Sequence, residues 1–151
     1  MTNRTPINIL YVDDELNNLL AFKALFRLKY NIYLAQNIAE TAAILESNAI
    51  HVLLTDQKMP AITGLEFVEI IENKYPDLVC ILITGYVSER DVNRAIRSGK
   101  IYTCLAKPWD ENELNDVVQE AYALYNKRRS SQNVPASVAQ DNIQHPSQVR
   151  I

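Results

Sequence analysis

The sequence contains only two cysteines, a small net charge and no long apolar run. Cys80 and Cys104 both lie in apolar stretches, which predicts buried thiols in a reducing compartment rather than a disulfide. A net charge of −3 without a long basic run gives no reason to expect nucleic-acid binding. No segment is apolar over the length of a bilayer, and residues 1–6 lack the layout of a secretory signal. We therefore expect a cytoplasmic protein that binds neither nucleic acid nor membranes directly.

The composition fits one globular domain. Hydrophobic residues make up 48% and charged residues 22% of 151 residues, a balance typical of a protein with a buried core. The segment after about residue 130 is rich in Ser, Gln, Asn and Pro and has no sustained period, which indicates a disordered tail or a linker. The predicted organisation is therefore an extension over 1–6, one domain over 7–129 and a tail over 130–151.

Five short apolar runs alternate with segments of helical period. Continuous apolar runs, rather than alternating ones, are typical of a parallel sheet covered on both faces. We predict strands over residues 7–12, 32–35, 51–55, 78–84 and 102–106. With helices between them, this pattern predicts an α/β fold, a doubly wound five-stranded parallel sheet in a three-layer α/β/α sandwich of the flavodoxin-like type.

The helical segments carry recognisable boundaries. The third, fourth and fifth helices are predicted over about 64–75, 88–98 and 111–127, with a Ser cap before the fourth and Gly99 after it. The predicted core stripe of the first helix is Leu16, Leu19, Leu20, Ala24 and Leu28. The fourth helix offers a narrow apolar face of Val92, Ala95 and Ile96, so we expect it to be loosely held.

Polar residues follow four of the five predicted strands. Asp13 and Asp14 follow the first strand, Asp56 the third, Thr84 ends the fourth and Lys107 follows the fifth. Carboxyl ends of parallel strands meet at one edge of the sheet, where such folds bind ligands. Because clustered carboxylates repel each other, their grouping favours a divalent cation, and an open site with few ligands favours Mg²⁺.

Each of these residues also has an ordinary structural explanation. Asp13 and Asp14 could cap the first helix, and Asp56 could be a turn residue ahead of Pro60. Thr84 could be a solvated strand end and Lys107 a surface charge. Their joint placement on the strand ends that the fold singles out favours a shared site.

Four motifs together resemble the receiver domain of bacterial two-component response regulators. They are VDDE at residues 12–15, TDQKMPAITG at 55–64, TGY at 84–86 and KPW at 107–109, and the resemblance covers about residues 7–127. The Lys-Pro-Trp ending looks like the branch often joined to transcriptional activator or cyclic-dinucleotide phosphodiesterase modules. The resemblance implies a phosphoacceptor signalling domain that catalyses only its own phosphorylation and dephosphorylation.

The resemblance also implies roles for individual residues. Asp56 is the phosphoryl acceptor, and Asp14, Asp56 and the backbone carbonyl of Lys58 bind Mg²⁺, with Asp13 acting through a water. Lys107 pairs with a phosphoryl oxygen and Thr84 donates a hydrogen bond to another. The chemistry is thus assigned to Asp13, Asp14, Asp56, Thr84 and Lys107.

Further features follow from the same resemblance. Gly85 leaves space for the phosphoryl group, and the Lys107–Pro108 bond is expected to be cis. Lys58 and Tyr86 are expected to flank the attacking water and tune the lifetime of the phosphoryl group.

The conformational switch is expected to involve Thr84 and the fifth strand. Relatives place an aromatic residue three before the lysine, but this chain has Cys104 there. Tyr102 is expected to point to the same side of the sheet and is a candidate substitute, although packing at the strand edge is an alternative role.

The implied partner is a sensor histidine kinase or phosphotransfer protein, docking near the first helix and the loop after Lys107. A homodimer through helix 4, strand 5 and helix 5 is a further expectation. Three alternatives stay open: a Mg²⁺-dependent phosphatase with an aspartate nucleophile, a degenerate receiver that only binds, and the N-terminal piece of a longer regulator.

Overall fold

A computed structural model describes residues 6–85 and 88–132 of the chain. Within them, strands and helices alternate in the order β1 (Asn8–Val12), α1 (Leu16–Phe26), β2 (Asn31–Ala35), α2 (Ile38–Ser47), β3 (Val52–Thr55), α3 (Gly64–Ile71), β4 (Val79–Thr84), α4 (Glu89–Arg97), β5 (Cys104–Ala106) and α5 (Glu111–Gln132). The five strands form one parallel sheet in the order β2-β1-β3-β4-β5. This confirms the predicted doubly wound sheet.

The strand order places the ends of β1 and β3 side by side. Val12 pairs with Thr55 across these strands, and Thr55 pairs with Leu82 on β4. The chain runs from β1 outward to β2 and then returns past β1 to β3, so the order reverses between β1 and β3. Sheets of this type bind ligands outside the carboxyl ends at such a reversal.

Helices cover both faces of the sheet. Leu19 of α1 and Leu114 of α5 pack in one buried cluster, which we call the α1/α5 cluster. Leu45, Phe67 and Val92, from α2, α3 and α4, pack in a second, which we call the α2–α4 cluster. Burial of apolar side chains on both faces is the main stabilising term of such a three-layer fold.

The buried face of α1 differs from the predicted one. Leu19, Phe22 and Phe26 are buried, whereas Leu16 and Leu20 are half exposed and Leu28 is 74% exposed. This helix has two apolar stripes. The stripe with two phenylalanines is the buried one, because aromatic rings bury more apolar area than leucines. Ala24 is exposed as well, so the prediction of a buried stripe was wrong at four of its five positions: Leu16, Leu20, Ala24 and Leu28.

The ends of the elements lie within one residue of the predicted ends except at three places. Helix α3 ends at Ile71, and the turn after it is tighter, since the N–H of Lys74 bonds the Ile71 carbonyl three residues back. Strand β5 begins only at Cys104, and α5 continues past the predicted end at Lys127 to Gln132. The observed end at Gln132 lies at the third residue of the predicted tail. The remaining tail, 133–151, and residues 1–5 lie outside the described residues.

Helix α4 has the predicted boundaries and face. Ser88 accepts a hydrogen bond from the backbone of Asp91 and Gly99 has a φ of +82°, the left-handed conformation that glycine adopts at helix ends. The predicted face of Val92, Ala95 and Ile96 is buried. Among the helices that the structure describes, none is long and apolar enough to cross a membrane.

Candidate functional site

Three carboxylates meet at the reversal point of the sheet. Asp13 follows β1 and Asp56 follows β3, and the backbone N–H of Asp56 donates to the carbonyl of Val12 at 3.0 Å. Asp13 is fully buried, Asp56 is 8% exposed and Asp14 is exposed. One carboxylate oxygen of each lies within 4.8 Å of the others. This acidic pocket of Asp13, Asp14 and Asp56 offers the hard oxygen ligands that fit Mg²⁺.

Lys107 bridges two members of the acidic pocket. Its Nζ donates to Asp13 Oδ2 and to Asp56 Oδ2, both at 2.8 Å. Burial works against the charged ammonium, but its hydrogen bonds to Asp13 and Asp56, together with the negative charge of both carboxylates, outweigh burial and hold the pKa of Lys107 above its usual value. The backbone N–H of Lys107 bonds the Thr84 carbonyl, and the Lys107–Pro108 peptide is cis, as the resemblance implies.

Asp13 accepts from four donors. Oδ1 accepts the backbone N–H of Glu15 at 2.9 Å, while Oδ2 accepts Tyr11 Oη at 2.9 Å, Asn18 Nδ2 at 3.1 Å and Lys107 Nζ. Burial raises the pKa of Asp13, but the bonds from Lys107, Glu15 and Tyr11 outweigh it and hold that pKa below the ordinary range. Asp13 is therefore a fixed anion, and it does not cap α1 directly, since the N-cap residue is Glu15.

Sequence reasoning missed Tyr11 and Asn18. Burial, together with the negative charge of Asp13, raises the pKa of Tyr11 far above its ordinary value, so its hydroxyl keeps its proton and remains a donor. Asn18 lies on the first turn of α1, where its amide also donates to Glu15. The sequence signal for this contact was the hydroxyl of Tyr11, because a polar atom on a buried strand residue requires a hydrogen-bond partner.

Thr84, Gly85 and Lys58 lie around the acidic pocket. Thr84 ends β4, is 4% exposed and pairs with Ala106 beside Lys107. Among the described residues, a Cβ added to Gly85 would meet only Lys107 Cβ, at 4.0 Å, so the described part of this edge leaves room beside Gly85. The side chain of Lys58 is exposed, and its backbone N–H points to Asp56 Oδ1 at 3.4 Å.

Gly64, at the start of α3, was not assigned a role from the sequence. A Cβ there would lie 2.3 Å from the carbonyl oxygen of Asp56 and 3.1 Å from Leu82 Cδ1. Neither the backbone nor the buried leucine can give way cheaply, so only glycine fits. The Gly64 N–H also bonds the Gln57 carbonyl, which closes the loop after Asp56.

The two candidate switch residues lie on different sides of the sheet. Cys104 is fully buried in the α2–α4 cluster, and burial raises its pKa to about 11. Tyr102 packs against the α1/α5 cluster, and its hydroxyl bonds Glu120 on α5 at 2.6 Å. The expectation that both point the same way was wrong, because Tyr102 precedes β5 and the alternation of a strand does not extend to it. Tyr86 lies outside the described residues.

Known proteins similar to this chain include transcriptional regulators and response regulators. A family model described as response regulator receiver domain matches residues 9–119. The chain is 31% identical over 113 residues to the hydrogenase transcriptional regulatory protein HoxA of Cupriavidus necator, covering 75% of this chain and 23% of that protein. It is 32% identical over 119 residues to response regulator protein PilR of Pseudomonas aeruginosa, covering 78% and 26%. It thus spans about a quarter of these curated relatives.

Solved structures agree in fold. A CheY-like response regulator receiver domain protein from Methanospirillum hungatei superposes with a TM-score of 0.74 at 25% identity, over 82% of this chain and 98% of that one. The beryllofluoride-activated NtrC4 receiver domain dimer gives a TM-score of 0.72 at 28% identity, over 78% and 98%.

Proposed function

The chain belongs to the response regulator receiver domain family, a family of signalling domains phosphorylated on aspartate, and from this premise we propose that its acceptor is Asp56. The proposed donor is the phosphohistidine of a sensor kinase or phosphotransfer protein. One observation carries the proposal: Asp56 lies in an acidic pocket with its Oδ2 bound to Lys107 at 2.8 Å. A nucleophilic carboxylate beside a cation is the arrangement that phosphoryl transfer requires.

The proposed reaction exchanges one bond to phosphorus for another. An oxygen of Asp56 forms a bond to phosphorus while the bond from phosphorus to the histidine nitrogen breaks. Lys107 and Thr84 then bind phosphoryl oxygens, and the room beside Gly85 admits the group.

The metal ligands in this proposal are oxygens of the acidic pocket. Asp14, Asp56 and the backbone carbonyl of Lys58 would hold Mg²⁺, with Asp13 bound through water. When bound there, Mg²⁺ offsets negative charge on the phosphoryl group. The mutual proximity of the three carboxylates supports this assignment.

The proposed switch runs from Thr84 to the face formed by α4, β5 and α5. Thr84 moves toward the phosphoryl group and leaves space beneath α4, next to β5. Cys104 pairs with Leu82 on that side and fills less volume than the aromatic side chain of relatives. The switch here therefore works by a shift of α4 rather than by rotation of a ring. Tyr102 is left out of it because it is bound to α5.

Exposed leucines on α1 support the proposed docking of the donor. Leu16 and Leu20 are about half exposed on the helix that begins beside the acidic pocket. A histidine-bearing helix placed there would bring its phosphoryl group to Asp56.

A homodimer through α4, β5 and α5 is a second proposal, and a receiver domain dimer is known for NtrC4. The free thiols Cys80 and Cys104 support a cytoplasmic location.

Intact mass spectrometry tests the acceptor directly. The protein is incubated with Mg²⁺ and acetyl phosphate, beside Asp56→Asn and a control, Asp116→Asn, which changes an exposed aspartate on α5. We expect one phosphoryl adduct on the wild type and the control, and none on Asp56→Asn or without Mg²⁺.

Two results would contradict the proposal. An equal adduct on Asp56→Asn would place the acceptor elsewhere. A wild type that gains no adduct and binds no beryllofluoride would have no receiver chemistry. Sustained turnover of a phosphate ester would instead support the phosphatase alternative.

A further inference from the structure

Asp13 accepts hydrogen bonds from other side chains in addition to its ion pair with Lys107. Tyr11 and Asn18 both donate to Oδ2, the same oxygen that binds Lys107. Both donors are held in place independently of Lys107. The Tyr11 ring is fully buried in β1 and packs edge-on against Phe22 at 4.9 Å, and Asn18 is fixed on the first turn of α1.

Lys107 binds the carboxylates of both Asp13 and Asp56, and the proposed reaction changes which of them it binds. In the described structure its Nζ lies 2.8 Å from both Asp13 and Asp56. A phosphoryl group on Asp56 adds negative charge and new acceptor oxygens, which draw the ammonium toward it. Asp13, fully buried, then loses its direct cation. A buried carboxylate that loses a partner is destabilised unless other donors remain.

We propose that Tyr11 and Asn18 are positioning residues that keep Asp13 bound while Lys107 turns from it to the phosphoryl group. The inference rests on the proposed function, since it concerns the step in which Asp56 is phosphorylated. Their hydrogen bonds persist on both sides of that step, so they lower the cost of releasing Lys107. Without them, Asp13 holds Lys107 more tightly and the phosphoryl group competes less well for it.

The test separates binding of the metal from binding of a phosphoryl mimic. Mg²⁺ alone and then beryllofluoride in saturating Mg²⁺ are titrated calorimetrically into the wild type, Tyr11→Phe and Asn18→Ala. Tyr30→Phe is the matched control, because Tyr30 is a buried tyrosine whose hydroxyl bonds Gln119, away from the acidic pocket.

We expect Tyr11→Phe to bind beryllofluoride about tenfold more weakly, the loss typical of one hydrogen bond to a charged acceptor. Its affinity for Mg²⁺ should stay within about twofold, as should both affinities of Tyr30→Phe. Asn18→Ala should change in the same direction as Tyr11→Phe. Because Asn18 is only half buried, this variant carries the test if Tyr11→Phe does not fold.

Two results would overturn the inference while leaving the proposed function intact. In the first, the wild type binds beryllofluoride and neither variant is weakened. In the second, Mg²⁺ and beryllofluoride affinities fall equally, which is the result expected from distortion of the pocket. If the wild type itself bound no beryllofluoride, the proposed function would fail with it.

Discussion

The two faces of the sheet are packed with different kinds of side chain. The α1/α5 cluster is rich in aromatic rings: Phe22 lies 4.9 Å from both Tyr11 and Phe26 and 5.9 Å from Trp109, measured between ring centroids. The α2–α4 cluster is mostly aliphatic, with Phe67 its fully buried phenylalanine among the described residues. Ring contacts add stability beyond the area that they bury.

The difference is greatest between α5 and α4. Helix α5 is 22 residues long and buries Leu114, Val117, Val118, Ala121 and Tyr125. Helix α4 is nine residues long and buries Val92, Ala95 and Ile96, and its other six residues are charged or polar. Less apolar burial means a smaller free-energy cost for moving a helix.

This difference matches the division of labour that we propose. Tyr11 of the α1/α5 cluster donates to Asp13, so the rigid face is joined directly to the acidic pocket. Cys104 lies in the α2–α4 cluster, and Thr84 follows Leu82 of that cluster by two residues along β4, so both lie toward the face where the proposed switch needs movement. In this proposal, one face of the sheet keeps the acidic pocket fixed while the other face moves in response to phosphorylation.

Removing a phenylalanine from each face should give the largest effect. We expect Phe22→Ala to lower the free energy of unfolding by about 5 kcal/mol and Phe67→Ala by about 3 kcal/mol, because Phe22 also loses its ring contacts. Both side chains are almost fully buried, so the two variants lose about the same stability from apolar burial. Urea unfolding followed by circular dichroism measures both. An equal or larger loss for Phe67→Ala would break the comparison between the faces.

Enlarging an alanine on each face should give a smaller effect. Ala95 on α4 is 6% exposed and Ala121 on α5 is fully buried, and both lie in helix interiors where leucine is well tolerated. We expect Ala121→Leu to cost about 3 kcal/mol and Ala95→Leu about 1 kcal/mol, since α4 can shift outward to make room.

Urea unfolding compares these two variants in the same way. The amide chemical shifts of α4 and β5 should move in Ala95→Leu if the helix is displaced. Equal costs, with α4 shifts unchanged, would show that α4 is held as firmly as α5.

Most of the fold was predictable because its signals are local. The strands are continuous apolar runs, as in Val79–Thr84, since both faces of a parallel sheet are buried. The acidic pocket was predictable for a related reason: carboxyl ends of parallel strands gather at one edge, so Asp13 and Asp56 had to lie close together.

The remaining features depend on packing that a linear pattern does not specify. Helix α1 carries two apolar stripes, and only the space under Phe22 and Phe26 decides between them. Tyr102 was assigned to the wrong face because the register of β5 begins two residues later. Tyr11 and Asn18 both reach Asp13 only because of the angle between β1 and α1. The sequence pattern does not specify this angle.

The smallest expected effect concerns how the end of α5 is held. The ring of His51, next to β3, packs against Tyr122 at 5.1 Å and Tyr125 at 4.8 Å, and its Nδ1 accepts the backbone N–H of Asn8 at 2.9 Å. Burial, with a smaller contribution from Arg129, lowers the pKa of His51 below 6.5. An accepting Nδ1 requires the neutral ring, so this contact depends on pH.

A lowered pKa means that the unfolded chain binds the proton first. Stability from His51 is therefore complete well above pH 6.5, falls as the pH drops through that value, and levels off below the folded pKa. We expect wild-type stability in urea to fall more between pH of about 7.5 and about 5.5 than that of His51→Asn, which keeps an acceptor that does not titrate. If His51→Asn loses as much stability as the wild type over this range, titration of His51 does not control how the end of α5 is held.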